Sequence, residues 1–158
     1  MKISFAIAAD HRGVPLKTEV IKFLRSKGHK VEDLGANSED SVDYPDFAIK
    51  AAQAVAKGKA KQGIVICHSG IGVSISANKV KGIRAALCQT VEQAELARKH
   101  TDANVLALPA GYVSPQLAKK IISKWLASGF EGGRHKRRIE KISAYENDQN
   151  SSDRKGGY

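Results

Sequence analysis

Short apolar runs alternate with helical patterns along this chain, and that alternation leaves few folds open. The runs lie at residues 3–8, 31–34, 64–67, 83–87 and 105–108. Between the first two, Leu16, Val20, Phe23 and Leu24 recur at helical spacing, with Gly28 placed as the stop. Phe47, Ala48, Ala51, Ala52 and Val55 give a second helical face ending near Gly58. Thr90 and Gln93 have the spacing of a capping box for a helix through about Arg98. Ser114-Pro115 reads as a cap and first-turn proline. Leu117, Ile121, Ile122, Trp125 and Leu126 then form one face, on which Trp125 reads as core. Near-continuous apolar strands separated by helices predict a parallel sheet covered on both faces. Ligands of such a sheet bind beyond the carboxyl ends of its strands.

The chain has 158 residues, the size of one domain with a sizeable core. Residues 1–146 read as that single domain. From Asn147 onward the sequence is polar and glycine-containing, which predicts a disordered tail over 147–158. No apolar run is long enough to span a membrane. The opening apolar run is too short for a signal peptide and is followed at once by Asp10, His11 and Arg12, so it reads as the first strand of a cytoplasmic protein. The net charge of +10 raises nucleic acid as a partner. Aromatic residues are few, however, no nucleic-acid motif occurs, and much of the excess sits at Arg134, Lys136, Arg137, Arg138 and Lys141. A basic surface around an anionic small molecule, with solvated lysines elsewhere, accounts for the charge without nucleic acid.

The segment from Cys67 to Lys79, CHSGIGVSISANK, holds the densest chemistry. Cys67 ends an apolar strand, and Gly70 and Gly72 open a helix. A helix start presents unpaired N–H groups and the positive end of the macrodipole, and glycine lets that backbone approach a ligand. The same field favours a thiolate. The segment therefore offers a base or nucleophile beside an anion site. A lone cysteine is more often a small buried hydrophobe, and Cys88, without such neighbours, is read that way. The two cysteines have no short pairing motif, which points to a reducing compartment.

Two further polar clusters fall at the predicted carboxyl edge: Asp10-His11 after the first strand and Asp43-Tyr44-Pro45 after the second. His100 ends a helix that runs back to the opposite edge. It is therefore either a surface histidine or a contributor to a neighbouring subunit's site. Gly70-Ile71-Gly72 is a poor dinucleotide fingerprint, because the third glycine is absent and the loop follows the third strand. There is no Walker-type phosphate loop, and the cysteines and histidines lack zinc spacing. No cofactor and no metal are expected.

Seven segments together resemble the type B ribose-5-phosphate isomerases of the ribose/galactose isomerase family. They are Asp10-His11, Asp43-Tyr44-Pro45, Cys67 to Lys79, Gly82-Ile83-Arg84-Ala85-Ala86, His100, Asn104-Val105-Leu106, and Glu131-Gly132-Gly133-Arg134-His135 with Arg138. The resemblance runs from about Lys2 to Tyr145. It implies a three-layer α/β/α sandwich with a five-stranded parallel sheet, Rossmann-like. It also implies a homodimer with shared sites, in some members paired into a tetramer. The activity implied is metal-independent interconversion of ribose 5-phosphate and ribulose 5-phosphate through an enediolate.

By the same resemblance, Cys67 is the base between C1 and C2, Asp10 handles the substrate hydroxyls, and Ser69 with His100 opens the sugar ring. The amides of Gly70, Ile71, Gly72, Val73 and Ser74 form the anion hole. His11, Arg134 and Arg138 hold phosphate, and Asp43, Tyr44 and Thr101 line the pocket. Three positions depart from the family pattern: His68 stands where glycine is usual, Thr101 where asparagine is common, and Gly111 where an arginine contacts phosphate. They leave the reaction class intact and open the choice of sugar phosphate, with four- and six-carbon substrates as alternatives. A non-catalytic sugar-phosphate-binding homologue is the reading from a different class.

Overall fold

The computed structural model describes residues 1–152, with side chains through 149. Strands β1 (Ser4–Ala9), β2 (Lys30–Asp33), β3 (Gln62–Cys67), β4 (Ala85–Leu87) and β5 (Val105–Pro109) form one sheet in the order β2-β1-β3-β5-β4. Every neighbouring pair is parallel. Helices α1 (Val14–Ser26), α2 (Tyr44–Ala56), α3 (Ile71–Asn78), α4 (Val91–Thr101), α5 (Pro115–Ala127) and α6 (Arg134–Ser152) complete the described residues. The expected three-layer α/β/α sandwich is the observed architecture.

Strand alternation divides the core by size. β1 sends Phe5, Ile7 and Ala9 to the layer of α1, α4 and α5, where Leu16, Val20, Leu24, Ile121, Ile122 and Trp125 are buried. Its other face offers only Ala6 and Ala8 to α2 and α3. There Ala48, Ala51, Ala52, Val73 and Ala77 complete a core of small side chains. Small residues let α2 and α3 lie close to the sheet and to each other. The chain leaves β1 for β2 on one side and returns to β3 on the other. The carboxyl ends of β1 and β3 therefore flank the crevice where a doubly wound sheet binds ligands.

The helix signals read from sequence hold in detail. Thr90 and Gln93 form the capping box, Ser114 Oγ accepts from the Leu117 N–H, and Gly28 and Gly58 take positive φ just beyond α1 and α2. Several boundaries differ. α4 reaches Thr101 rather than Arg98. β4 begins at Ala85 rather than residue 83, because Asn78 and Asn104 hold the preceding backbone with side-chain hydrogen bonds. Phe23 is only partly buried, whereas Ile21 and Lys17 are buried on α1. The segment expected to be a disordered tail begins at Asn147, and α6 extends past that point to Ser152. The Glu146 carboxylate accepts from the Gly82 N–H at 3.0 Å and ties the helix to the body of the domain. Extending an established helix is far easier than nucleating one. Residues 153–158 of that segment lie outside the described residues. No described helix is long and apolar enough to cross a membrane.

Lys17 was hidden from periodicity. Its ammonium, on a side chain 3% exposed, donates to Asp33 Oδ1 and to the Ala36 carbonyl. Asp33 Oδ1 also accepts from the Gly35 N–H. Ala9 and Gly35–Ala36 exchange backbone hydrogen bonds at 2.7 Å, so this ion pair braces the loop beside the end of β1. Asp33→Ala leaves the buried ammonium with the Ala36 carbonyl alone and should lower the unfolding free energy by about 1.5–3 kcal/mol. Lys17→Met leaves no buried ammonium, and the Asp33 carboxylate, 33% exposed, keeps its water, so this variant should cost less. Urea melts of both variants check this, and a wild-type midpoint for Asp33→Ala would refute the brace.

Candidate active site at the carboxyl edge

The turn from β3 into α3 sets the site. Gly70, at φ 73°, occupies the left-handed region. A Cβ there would strike Leu87 Cδ1 and lie 3.2 Å from the Leu108–Pro109 backbone, so both conformation and space call for glycine. The turn brings the Gly70 N–H to 3.2 Å from Cys67 Sγ. Cys67 is 5% exposed and faces the small-residue layer. Cys88 is different: burial alone pushes its thiol up to about 12, so it stays protonated and serves as packing.

The amides from Gly70 to Ser74 do not act as one set. Gly70 N–H is given to Cys67 Sγ, Ile71 N–H to Ser69 Oγ at 3.3 Å, and Ser74 N–H to the Gly70 carbonyl at 3.1 Å. Among the described residues, only the Gly72 and Val73 N–H groups of this segment lack a protein acceptor. These two, at the start of α3, are open to a ligand, as the first N–H groups of a helix are. The Val73 side chain is core and the Ile71 side chain is exposed, so neither side chain contributes a polar group. Tyr44, at the start of α2, lays its ring over Gly72, where a Cβ would approach Tyr44 Cζ to 2.7 Å. Asp43 precedes it as the N-cap residue without a side-chain capping bond.

Asp10 ends β1 and is 6% exposed. Its Oδ1 accepts from the N–H groups of Arg12 and Gly13, both at 3.0 Å, in a short 3₁₀ turn. Oδ2 has no protein donor among the described residues and is left for a ligand hydroxyl. His11 Nδ1 accepts from the Val42 N–H at 3.2 Å, which leaves Nε2 as the ring's free position and draws the loop before α2 to the same edge. The Ser69 hydroxyl accepts from Ile71 N–H and keeps its own proton for donation.

The remaining predicted residues form a second group. His100 lies in the last turn of α4, just before the amino end of β5, whereas Cys67 lies at the carboxyl end of β3 opposite Pro109. Asp102, at φ 43°, holds that helix end with ion pairs to Arg84 and Arg98. The Thr101 hydroxyl donates to the Ala97 carbonyl at 2.7 Å, so its proton is spent within the helix rather than offered to a ligand. His100 stacks on His135 with centroids 4.1 Å apart and planes 5° from parallel. Glu131 Oε2 lies 3.9 Å from His100 Nε2 and 3.8 Å from His135 Nε2. Arg134 and Arg138 are exposed one helical turn apart at the start of α6. No hydrogen bond, ion pair or ring contact joins this group to the Cys67 group among the described residues.

Sequence spacing predicts no metal site, yet His100, Glu131 and His135 bring three potential ligand atoms within 4.8 Å of one another. The tertiary packing of α6 on α4 creates this cluster, and no linear motif announces it. Parallel imidazoles send their in-plane lone pairs side by side instead of towards one point. The two neighbouring arginines also make the region receptive to anions. His135 sits in the Glu131-to-Arg138 segment and has no spacing signal of its own. Burial first, then the charges of His100, Arg134 and Arg138, depress its pKa below 6.5. The folded state therefore favours neutral His135, and its contribution to stability is present above 6.5 and lost as pH falls through the depressed value. His135→Asn should narrow the drop in melting temperature between about pH 7.5 and about pH 5.5. An unchanged drop would remove His135 from the acid sensitivity.

The sequence and the fold have known counterparts. The sequence model of the family described as Ribose/Galactose Isomerase matches residues 5–142. Ribose-5-phosphate isomerase B of Escherichia coli is 45% identical over 145 residues, covering 92% of this chain and 97% of that protein. D-erythrulose-4-phosphate isomerase of Pectobacterium atrosepticum is 43% identical over 148 residues, covering 93% and 97%. The crystal structure of Mycoplasma genitalium ribose-5-phosphate isomerase B with bound ribulose-5-phosphate superimposes with a TM-score of 0.88 at 45% identity, covering 91% of this chain and 96% of that one. The chain belongs to the ribose/galactose isomerase family and, within it, resembles the type B ribose-5-phosphate isomerases.

Proposed function

We propose that this protein is an aldose–ketose isomerase interconverting ribose 5-phosphate and ribulose 5-phosphate, with Cys67 as the base. The observation that carries the reading is the pairing of Cys67 with the open N–H groups of Gly72 and Val73 across the Gly70 turn. A proton alpha to a carbonyl is weakly acidic, so its removal needs a positioned base. Charge then develops on an enediolate oxygen, which preorganised amides stabilise. Cys67 takes the proton from C2 and returns it to C1, while the Asp10 carboxylate takes the proton that leaves O2 and delivers it to O1. These groups supply the base and the anion donors without a metal. Remote phosphate binding holds the reacting carbons in place, with His11, Arg134 and Arg138 as the ligands.

The site needs two chains in this reading. Arg134, Arg138 and His100 belong to the group that no polar contact joins to Cys67. The exposed side chains of Ile71 and Ile75 on α3 and of Ile142 and Tyr145 on α6 offer apolar surface for a second copy. In the homodimer, His100 of the partner subunit works with Ser69 to open the sugar ring. The identity to an erythrulose-phosphate isomerase favours a four-carbon sugar phosphate as the second reading.

Cys67→Ala should lower kcat by about 10²–10⁴-fold while sugar phosphate still binds. Cys88→Ala should keep turnover. A coupled assay measures both, and near-wild-type turnover by Cys67→Ala would move the chemistry elsewhere. Mixing the inactive variants Cys67→Ala and His100→Ala should regenerate activity through heterodimers with one intact site. No recovery after verified subunit exchange would put both residues in one chain's site or remove His100 from it.

A further inference from the structure

His68 lies between the proposed base and Ser69, and no role has been given to it. Its imidazole rests on Gly111, in the loop after β5. A Cβ at 111 would come within 2.7 Å of His68 Nδ1 and Nε2, and nearer still to Cε1. Gly111 is not among the glycines of positive φ, so its backbone conformation would suit other residues. A Cβ here would displace the histidine ring from this position. The two loops are also joined through their backbones: Gly111 N–H donates to the His68 carbonyl at 2.8 Å, and Ala110 N–H to the Cys67 carbonyl at 2.9 Å. Tyr112 meets the ring edge-on, with centroids 5.8 Å apart. His68 and Gly111 are thus one steric unit, braced by Tyr112.

The ring is held, yet its nitrogens are free. Neither has a protein hydrogen-bond partner among the described residues, and the residue is exposed at the rim of the crevice. The reacting end of a sugar is already met by Cys67, Asp10 and the Gly72 and Val73 amides. A rim imidazole beside them is placed for a part of the substrate beyond the reacting carbons, where the group that most rewards an N–H donor is the phosphate. We propose that His68, seated on Gly111, hydrogen-bonds the phosphate of the bound sugar and so helps set which phosphorylated sugar is accepted. This rests on the isomerase reading above.

The test uses the full-length protein with ribose 5-phosphate as substrate and inorganic phosphate as a separate probe. His68→Gly should raise KM about tenfold and weaken phosphate binding by the same factor, with a smaller change in kcat. His68→Gln, which keeps a donor, should recover part of the loss. Gly111→Ala displaces the ring and should raise KM in the wild-type background, but add nothing in the His68→Gly background. Equal melting temperatures check folding. Unchanged KM and phosphate affinity in His68→Gly would overturn the proposal. So would a fall confined to kcat, or equal effects of Gly111→Ala in both backgrounds. Calorimetric titration with phosphate decides the matter even if ribose 5-phosphate is not turned over, so failure of the isomerase reading is seen separately. Undetectable phosphate binding by the wild type also overturns it.

Discussion

The site depends on one turn of backbone. Gly70 must adopt a left-handed conformation in a space closed by Leu87 on one side and the end of β5 on the other. Any side chain there meets both obstacles. Because the turn is so tight, the strand that carries Cys67 and the helix that carries the open amides are held at a fixed separation. Gly70 N–H spans that separation to the sulfur. Preorganisation of this kind is what lets backbone dipoles stabilise developing charge without rearranging.

The unequal division of the core supports the turn from behind. Phe5, Ile7, Leu106, Leu108 and Trp125 fill the face towards α1, α4 and α5. The opposite face is largely alanine and valine, and Cys67 belongs to it. Only short side chains allow α3 to sit near enough to β3 for its first turn to meet the strand end. Trp125 on the crowded face donates its indole N–H to Gln62 Oε1 at 2.8 Å, so even the start of β3 is fixed by a satisfied buried pair. The strand is thus secured at its amino end by a polar contact with α5 and at its carboxyl end by the turn into α3.

The polar residues fall into two groups. Asp10, Cys67, Ser69 and the two amides lie at the carboxyl ends of β1 and β3. His100, His135, Arg134 and Arg138 form a cationic group at the end of α4 and the start of α6. Their separation follows from chain direction, since a helix returning from β4 delivers its last residue to the amino edge of the sheet. A single chain therefore holds both groups without joining them.

Much of the fold was legible because it is local. Apolar runs, the Thr90 capping box, the Ser114-Pro115 start and the glycine stops depend on neighbours a few residues away. Periodicity reports those neighbours directly. The placement of Cys67, Ser69, Gly70 and Gly72 on one strand-to-helix turn was legible for the same reason, being carried on one continuous segment. Tertiary structure alone decided the rest. It buried Lys17 against Asp33, stacked His135 on His100, and turned the Thr101 hydroxyl back into its helix. It also left only Gly72 and Val73 open among five candidate amides, and seated His68 on Gly111. These outcomes depend on residues distant in sequence sharing a volume. Such sharing leaves no periodic trace, because close packing is set by the shapes that meet and not by the order in which the chain supplies them.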